Sequence, residues 1–135
     1  MKIDGGCHCG DITFEAEAEP ANASICHCTD CQQLTGTAFR TSVRANPGTF
    51  RITKGEPAVY VKTAESGNRR AQAFCPDCGS RLWAAAEFDT PVYNLRLGGV
   101  RQRAQLAPKS QVWCNSALPW SMDLGSVKQH PKNAG

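Results

Sequence analysis

No stretch of this 135-residue chain approaches the ~18 consecutive apolar residues that a membrane span requires. The opening segment, Met1-Lys2-Ile3-Asp4-Gly5-Gly6, lacks the apolar region of a secretory signal. Charge of one sign is also in short supply: 15 basic residues face 12 acidic ones, a net of +3. Arg69-Arg70 and Arg101/Arg103 could touch phosphates, but no long basic run or aromatic stripe accompanies them. They read as a solvated surface, and no nucleic-acid partner is expected. Internal repeats and low-complexity tracts are missing too. Apolar residues make up 41% of the chain, near the globular norm, which excludes wholesale disorder. The expectation is a soluble cytoplasmic protein, with one domain over 1–127 and a polar tail over 128–135.

Helical periodicity is scarce. Ile12, Phe14, Ala16 and Ala18 alternate with polar residues, so 11–18 reads as a half-buried strand. Phe39, Thr41 and Val43 alternate likewise, before a turn at Asn46-Pro47-Gly48. Further strands begin at Phe50 and Ile52, and at Val59 and Val61, and Ser66-Gly67-Asn68 turns the chain into 69–74. Segments 82–86, 92–97 and 111–113 complete the strand set. One short helix is predicted over Cys31 to Leu34, capped by Thr29 or Asp30 and stopped at Gly36. The predicted class is mainly β, with short antiparallel sheets and one or two helical turns.

What the chain has in abundance is cysteine, eight in all. A reducing cytosol disfavours a disulfide framework, so metal binding is the first hypothesis. Cys75-Pro76-Asp77-Cys78-Gly79 is a tight turn that aims two thiolates at one ion, half of a tetrahedral zinc site. The C-x-C at Cys7 and Cys9 is the obvious source of the other half. That leaves Cys26, Cys28 and Cys31 together. Three ligands on zinc leave one position for water or substrate, which is what catalysis needs. Cys31 near a helix start would also feel the positive end of the helix dipole. The alternatives on spacing alone are a triad paired with Cys75 and Cys78, one metal plus redox thiols, or an iron–sulfur cluster.

Other residues read more blandly. His27, the middle residue of C-x-C, points away from the metal and reads as exposed, with a proton-carrying role as the alternative. His8 reads the same way. Cys114 reads as a buried apolar side chain. Trp113 and Trp120 read as core or pocket wall.

Cys7-x-Cys9, Cys26-His27-Cys28-Thr29-Asp30-Cys31, Gly36, Phe39, Phe74-Cys75-Pro76-Asp77-Cys78-Gly79-Ser80-Arg81-Leu82, Trp113 and Pro119-Trp120 together resemble the glutathione-dependent formaldehyde-activating enzyme family. The resemblance runs from about Gly5 to Trp120, and centromere protein V is similar to the same family. It implies a β fold shared with methionine sulfoxide reductase B and some nucleotide-exchange accessory proteins. It implies two zinc ions per chain: a structural one on Cys7, Cys9, Cys75 and Cys78, and a catalytic one on Cys26, Cys28 and Cys31. It implies a carbon–sulfur lyase reaction that joins glutathione and formaldehyde as S-hydroxymethylglutathione. Arg69, Arg70, Arg81 and Arg96 are candidates to pair with glutathione carboxylates. Two segments depart from the family pattern. Leu97-Gly98-Gly99-Val100-Arg101 stands where Gly-Thr-Leu-Asp is usual, and Gln111-Val112 where His-Ile often precedes the tryptophan. The competing expectations are a zinc-stabilised binding module without chemistry and a thiol redox protein.

Overall fold

The computed structural model describes residues 1–87 and 92–135. Among the described residues are nine strands and one α-helix: β1 Lys2–Gly6, β2 Thr13–Cys26, α1 Thr29–Thr35, β3 Arg40–Ala45, β4 Arg51–Lys54, β5 Ala58–Thr63, β6 Arg69–Phe74, β7 Arg81–Ala86, β8 Asn94–Arg96 and β9 Ser110–Val112. The protein is mainly β, as the alternating pattern predicts. None of its helices among the described residues is long and apolar enough to cross a membrane.

The longest strand, β2, organises the rest. Its first half pairs with β1 on one side and β4 on the other. Its second half pairs with β3, and from there the sheet runs β3-β8-β7-β6-β5 through antiparallel neighbours. One contact breaks the antiparallel expectation: β9 runs parallel to β2, with Cys26 opposite Val112. The periodic pattern ends at residue 18, yet β2 continues to Cys26. Between Ala18 and Ala23 its register against β3 shifts, since the facing residues are Ala45 and Val43. Pro20 falls inside that irregularity, where a missing N–H removes no ladder bond.

Within β2, Phe14, Ala16 and Ala18 are buried while Glu15, Glu17 and Glu19 are exposed. Burying a side chain such as Phe14 is worth about 1.5–3 kcal/mol. Phe14 meets Phe50 and Trp83 edge to face or tilted, and Phe50 stacks on Tyr93 at 4.2 Å between ring centroids. Ile3, Ile12, Val43, Leu82, Leu95 and Leu106 fill the space around these rings. In β7, Leu82, Trp83, Ala84 and Ala85 are all buried. This strand lies between β6 and β8, and small alanines fit an interior position despite their weak strand preference.

Several elements differ in extent from the sequence pattern. β1 carries no alternation in sequence and is set by pairing: Ile3 lies opposite Ala16. The segment predicted over 92–97 is a strand only from Asn94 to Arg96, because Leu97-Gly98-Gly99 forms a 3₁₀ turn. The strand predicted over 111–113 ends at Val112, because Trp113 takes a left-handed φ of 57°. From Met122 onward every residue is exposed.

Candidate metal centre

Seven of the eight cysteines converge in two groups. The first is Cys7, Cys9, Cys75 and Cys78, whose sulfurs all lie within 4.8 Å of one another. Each half sits on a hairpin turn: Cys7 and Cys9 between β1 and β2, Cys75 and Cys78 between β6 and β7. Both turns need a residue with positive φ, and glycine supplies it at Gly10 (84°) and Gly79 (78°). The turns close through Gly10 N–H to Cys7 O and Gly79 N–H to Cys75 O. Further donors face the sulfurs: the Ile12 amide donates to Cys7 Sγ at 3.2 Å. Ser80 bridges the halves, its Oγ accepting from the His8 amide at 2.9 Å and lying 3.2 Å from Cys78 Sγ. That hydroxyl lowers the Cys78 thiol to about 5.

Sulfurs of Cys7 and Cys9 lie 3.6 Å apart, and those of Cys9 and Cys75 lie 3.7 Å apart. A tetrahedral ion with metal–sulfur bonds of about 2.3 Å sets its ligands about 3.8 Å apart. The spacing therefore fits a tetrahedral thiolate site, and none of these cysteines is in a disulfide.

The second group is Cys26, Cys28 and Cys31, again within 4.8 Å. Cys26 ends β2, Cys28 caps α1, and Cys31 lies in its first turn. The cap differs from the sequence expectation. Neither Thr29 nor Asp30 fills it; the Sγ of Cys28 accepts from the Cys31 amide at 3.2 Å. Gly36 stops the helix as expected, in the left-handed conformation. Sharing of protons splits the triad: the hydrogen bond between Cys26 and Cys31 lowers Cys31 to about 7 and raises Cys26 to about 12, with burial adding to the rise.

Arg40 is the residue that the sequence pattern missed. It lies opposite Cys26 in the β2–β3 ladder, and its Nε donates to Cys31 Sγ at 3.1 Å. Only the strand register brings it there. Its other donor reaches Ser42 Oγ at 2.9 Å, and Arg96 donates to the same oxygen and to Gln72 Oε1. Burial, with the charge of Arg40 beside it, pushes Arg96 down to about 9.

The triad opens on a cavity of ≈ 170 Å³ walled by Arg40, Arg70, Arg81, Arg96, Lys62, Trp83 and Trp113. Of the arginines singled out in the sequence, Arg70, Arg81 and Arg96 are here. Arg69 is not; it pairs with Glu87. Lys62 at the cavity is tied to Asp30 of α1 at 2.8 Å. A wider groove of ≈ 670 Å³ adjoins, and Arg40, Arg81 and Arg96 line both spaces. Arg101 and Arg103 line the groove but not the cavity.

Three sequence expectations are corrected here. His27 is fully buried, not exposed. Its Nε2 lies 2.8 Å from Gln111 Oε1, its amide donates to Val112 O, and its ring meets Phe39 edge to face. The alternating chain direction does point it away from the sulfurs, but β9 covers it. Cys114 is exposed, because it starts a 3₁₀ turn beyond the last strand. Trp120 is 58% exposed and walls nothing at the triad, whereas Trp113 does line the cavity.

The fold and the two thiolate clusters define a class: a small mainly β protein with one four-sulfur and one three-sulfur site, each able to hold a metal ion. Residues 2–116 match the family model described as glutathione-dependent formaldehyde-activating enzyme, and the chain belongs to that family. No curated protein sequence matches it significantly. A crystal structure of a Rhodobacter sphaeroides protein shares the fold, with a TM-score of 0.61 at 19% identity over 80% of this chain and 98% of that one.

Proposed function

We propose that this protein is a zinc-dependent carbon–sulfur lyase acting on a thiol–aldehyde adduct, with glutathione as the thiol and formaldehyde as the family's named aldehyde. Family membership supports glutathione-related formaldehyde activation. The observation that carries the finer reading is a contrast. Four sulfurs close one cage, whereas three sulfurs face a cavity. On this reading Cys7, Cys9, Cys75 and Cys78 hold a structural zinc, and Cys26, Cys28 and Cys31 hold a catalytic one. The sulfur donors and their spacing suit zinc in both places. Residues 1–127 form the functional unit, in a cytoplasm whose reducing poise keeps the thiols free.

A zinc ion held by Cys26, Cys28 and Cys31 would supply a Lewis-acid centre able to lower the pKa of a thiol toward neutrality. The chain's own residues do the rest. Arg40 directs its Nε–H at Cys31 Sγ and, with the Cys26 hydrogen bond, favours the ionised sulfur. Trp83 and Trp113 wall the cavity and limit water. Arg81, at the junction of cavity and groove, suits a carboxylate of the tripeptide while its thiol enters the cavity. Thiol addition to an aldehyde is easy in water, so the site contributes chiefly proximity and a poised thiolate.

Zinc and free-thiol quantitation with and without glutathione tests the reading. Two zinc ions per chain are expected, one readily lost to chelator and protected by glutathione. A single zinc with three titratable thiols would instead mean redox chemistry.

A further inference from the structure

Charge around the triad does not balance. The cavity wall carries Arg40, Arg70, Arg81 and Arg96, with Lys62, but no aspartate or glutamate among the described residues. At the cavity Lys62 is matched by Asp30 of α1, and elsewhere Arg51 pairs with Glu15, Arg69 with Glu87 and Arg101 with Asp4 on the surface. Arg96 is only 9% exposed, and its donors go to neutral Ser42 and Gln72. Arg40 has Ser42 and the Cys31 sulfur. Three thiolates and a divalent ion would sum to one negative charge, against four guanidinium charges at the same wall. A bound substrate thiolate would bring a second negative charge, and exposed Arg81 would meet a carboxylate of the tripeptide. One guanidinium charge then remains without a counterpart, that of half-buried Arg70, and a partly desolvated cation favours an anionic partner.

We propose that the carbonyl compound this site prefers carries its own carboxylate: a small aldehydic acid, held by Arg70 together with Arg40 and Arg96. The inference rests on the reading of the triad as a thiol-addition centre. Size agrees with it. A volume of ≈ 170 Å³ equals roughly six waters' share of liquid, room for a thiol tip and a carbonyl compound of a few atoms but not for a tripeptide. The tripeptide's carboxylates belong to the adjoining groove. Arg70 lines the cavity and not the groove, so only a group inside the cavity answers its charge. In the reaction the thiolate sulfur forms a bond to the aldehyde carbon. The carbonyl π pair moves to oxygen, which takes one proton, equal to the one the thiol gave up. The product is a hemithioacetal with its carboxylate untouched, and nothing is oxidised or reduced.

The test uses glyoxylate, formaldehyde and acetate with the zinc-loaded protein. Trp83 and Trp113 line the cavity, so their fluorescence reports binding without turnover. Glyoxylate is expected to bind at least tenfold more tightly to the wild type than to Arg70→Gln. The ratio of kcat/KM for glyoxylate over formaldehyde is expected to fall at least tenfold in that variant, and Arg70→Lys to keep most of it. An unchanged ratio, or glyoxylate that binds no better than acetate and independently of Arg70, overturns the proposal. A rise in the glutathione KM that is equal for both aldehydes also overturns it, since Arg70 would then be reading the thiol's carboxylate. Arg70-dependent glyoxylate binding with no turnover of either aldehyde would sink the lyase reading and leave the carboxylate site standing. If Arg70→Gln does not fold, Arg70→Lys and the wild-type preference for glyoxylate over acetate decide.

Discussion

The Sγ of Cys28 accepts the Cys31 amide at the position where serine, asparagine or aspartate usually caps a helix. Serine there keeps an acceptor for that N–H and removes a proposed metal ligand, whereas alanine removes both. Cys28→Ser is therefore expected to fold, carry one zinc rather than two, and show no lyase activity. Cys28→Ala should be less stable than Cys28→Ser by about 0.5–2 kcal/mol, the usual worth of an N-cap, in denaturant melts of the two variants. Equal melts would remove the capping role. Spacing alone makes these seven cysteines conspicuous in the sequence. What surrounds them is less legible. His27 is buried because β9 runs beside the end of β2, a contact between segments more than eighty positions apart. Arg40 reaches Cys31 by the same kind of cross-strand register, which no local pattern encodes.

At the scale of elements, β1 is held to the segment after β8 by more than its ladder. Asp4 accepts from Arg101 at 2.7 Å and from Gln102 at 2.6 Å. Those hydrogen bonds, Gln102 first, hold its carboxyl below the ordinary 3.8. A folded-state value lower than the unfolded one stabilises the ionised protein, so the contribution is present above about pH 4 and is lost as pH falls through the folded value. Asp4→Asn should cost no more than about 1 kcal/mol at neutral pH, because the group is screened by solvent. The difference from wild type should vanish in melts toward pH 2. Gly5, its neighbour, lies so close to Gly99 that an added Cβ would sit 1.9 Å from its carbonyl oxygen. Gly5→Ala should destabilise by about 1–3 kcal/mol in the same assay, the range for overpacking, while Gly125→Ala, with nothing within 4 Å, changes little. The alternation of Phe14, Ala16 and Ala18 exposes β2 to the reader of the sequence. β1 and the far half of β2 stay hidden, because pairing and a register shift define them rather than periodicity.

For the molecule as a whole, the four-sulfur cage joins the β1–β2 turn to the β6–β7 turn. A structural zinc is worth on the order of 10–16 kcal/mol in small peptides, against about 5–15 kcal/mol for the net stability of a domain. Cys75→Ser should therefore lose its cooperative thermal transition, whereas Cys28→Ser keeps one. Similar melting losses in both would abolish the division between a structural and a catalytic site. Exhaustive chelation of the wild type should likewise abolish the transition in two stages, activity before fold.

The two clusters also differ in how far along the chain their members lie. Cys26, Cys28 and Cys31 are near neighbours, while Cys9 must find Cys75 across 66 positions. A nascent or refolding chain can thus capture an ion at the triad before any sheet exists, but cannot finish the cage until the β6–β7 turn has been made. Early occupancy of the triad would hold one potential competitor ligand set out of reach, so that Cys7 and Cys9 meet Cys75 and Cys78 rather than the wrong thiols. If both sites take zinc, loading order would guard against mispairing, and refolding with metal withheld until late should give scrambled coordination and a lower yield of active protein.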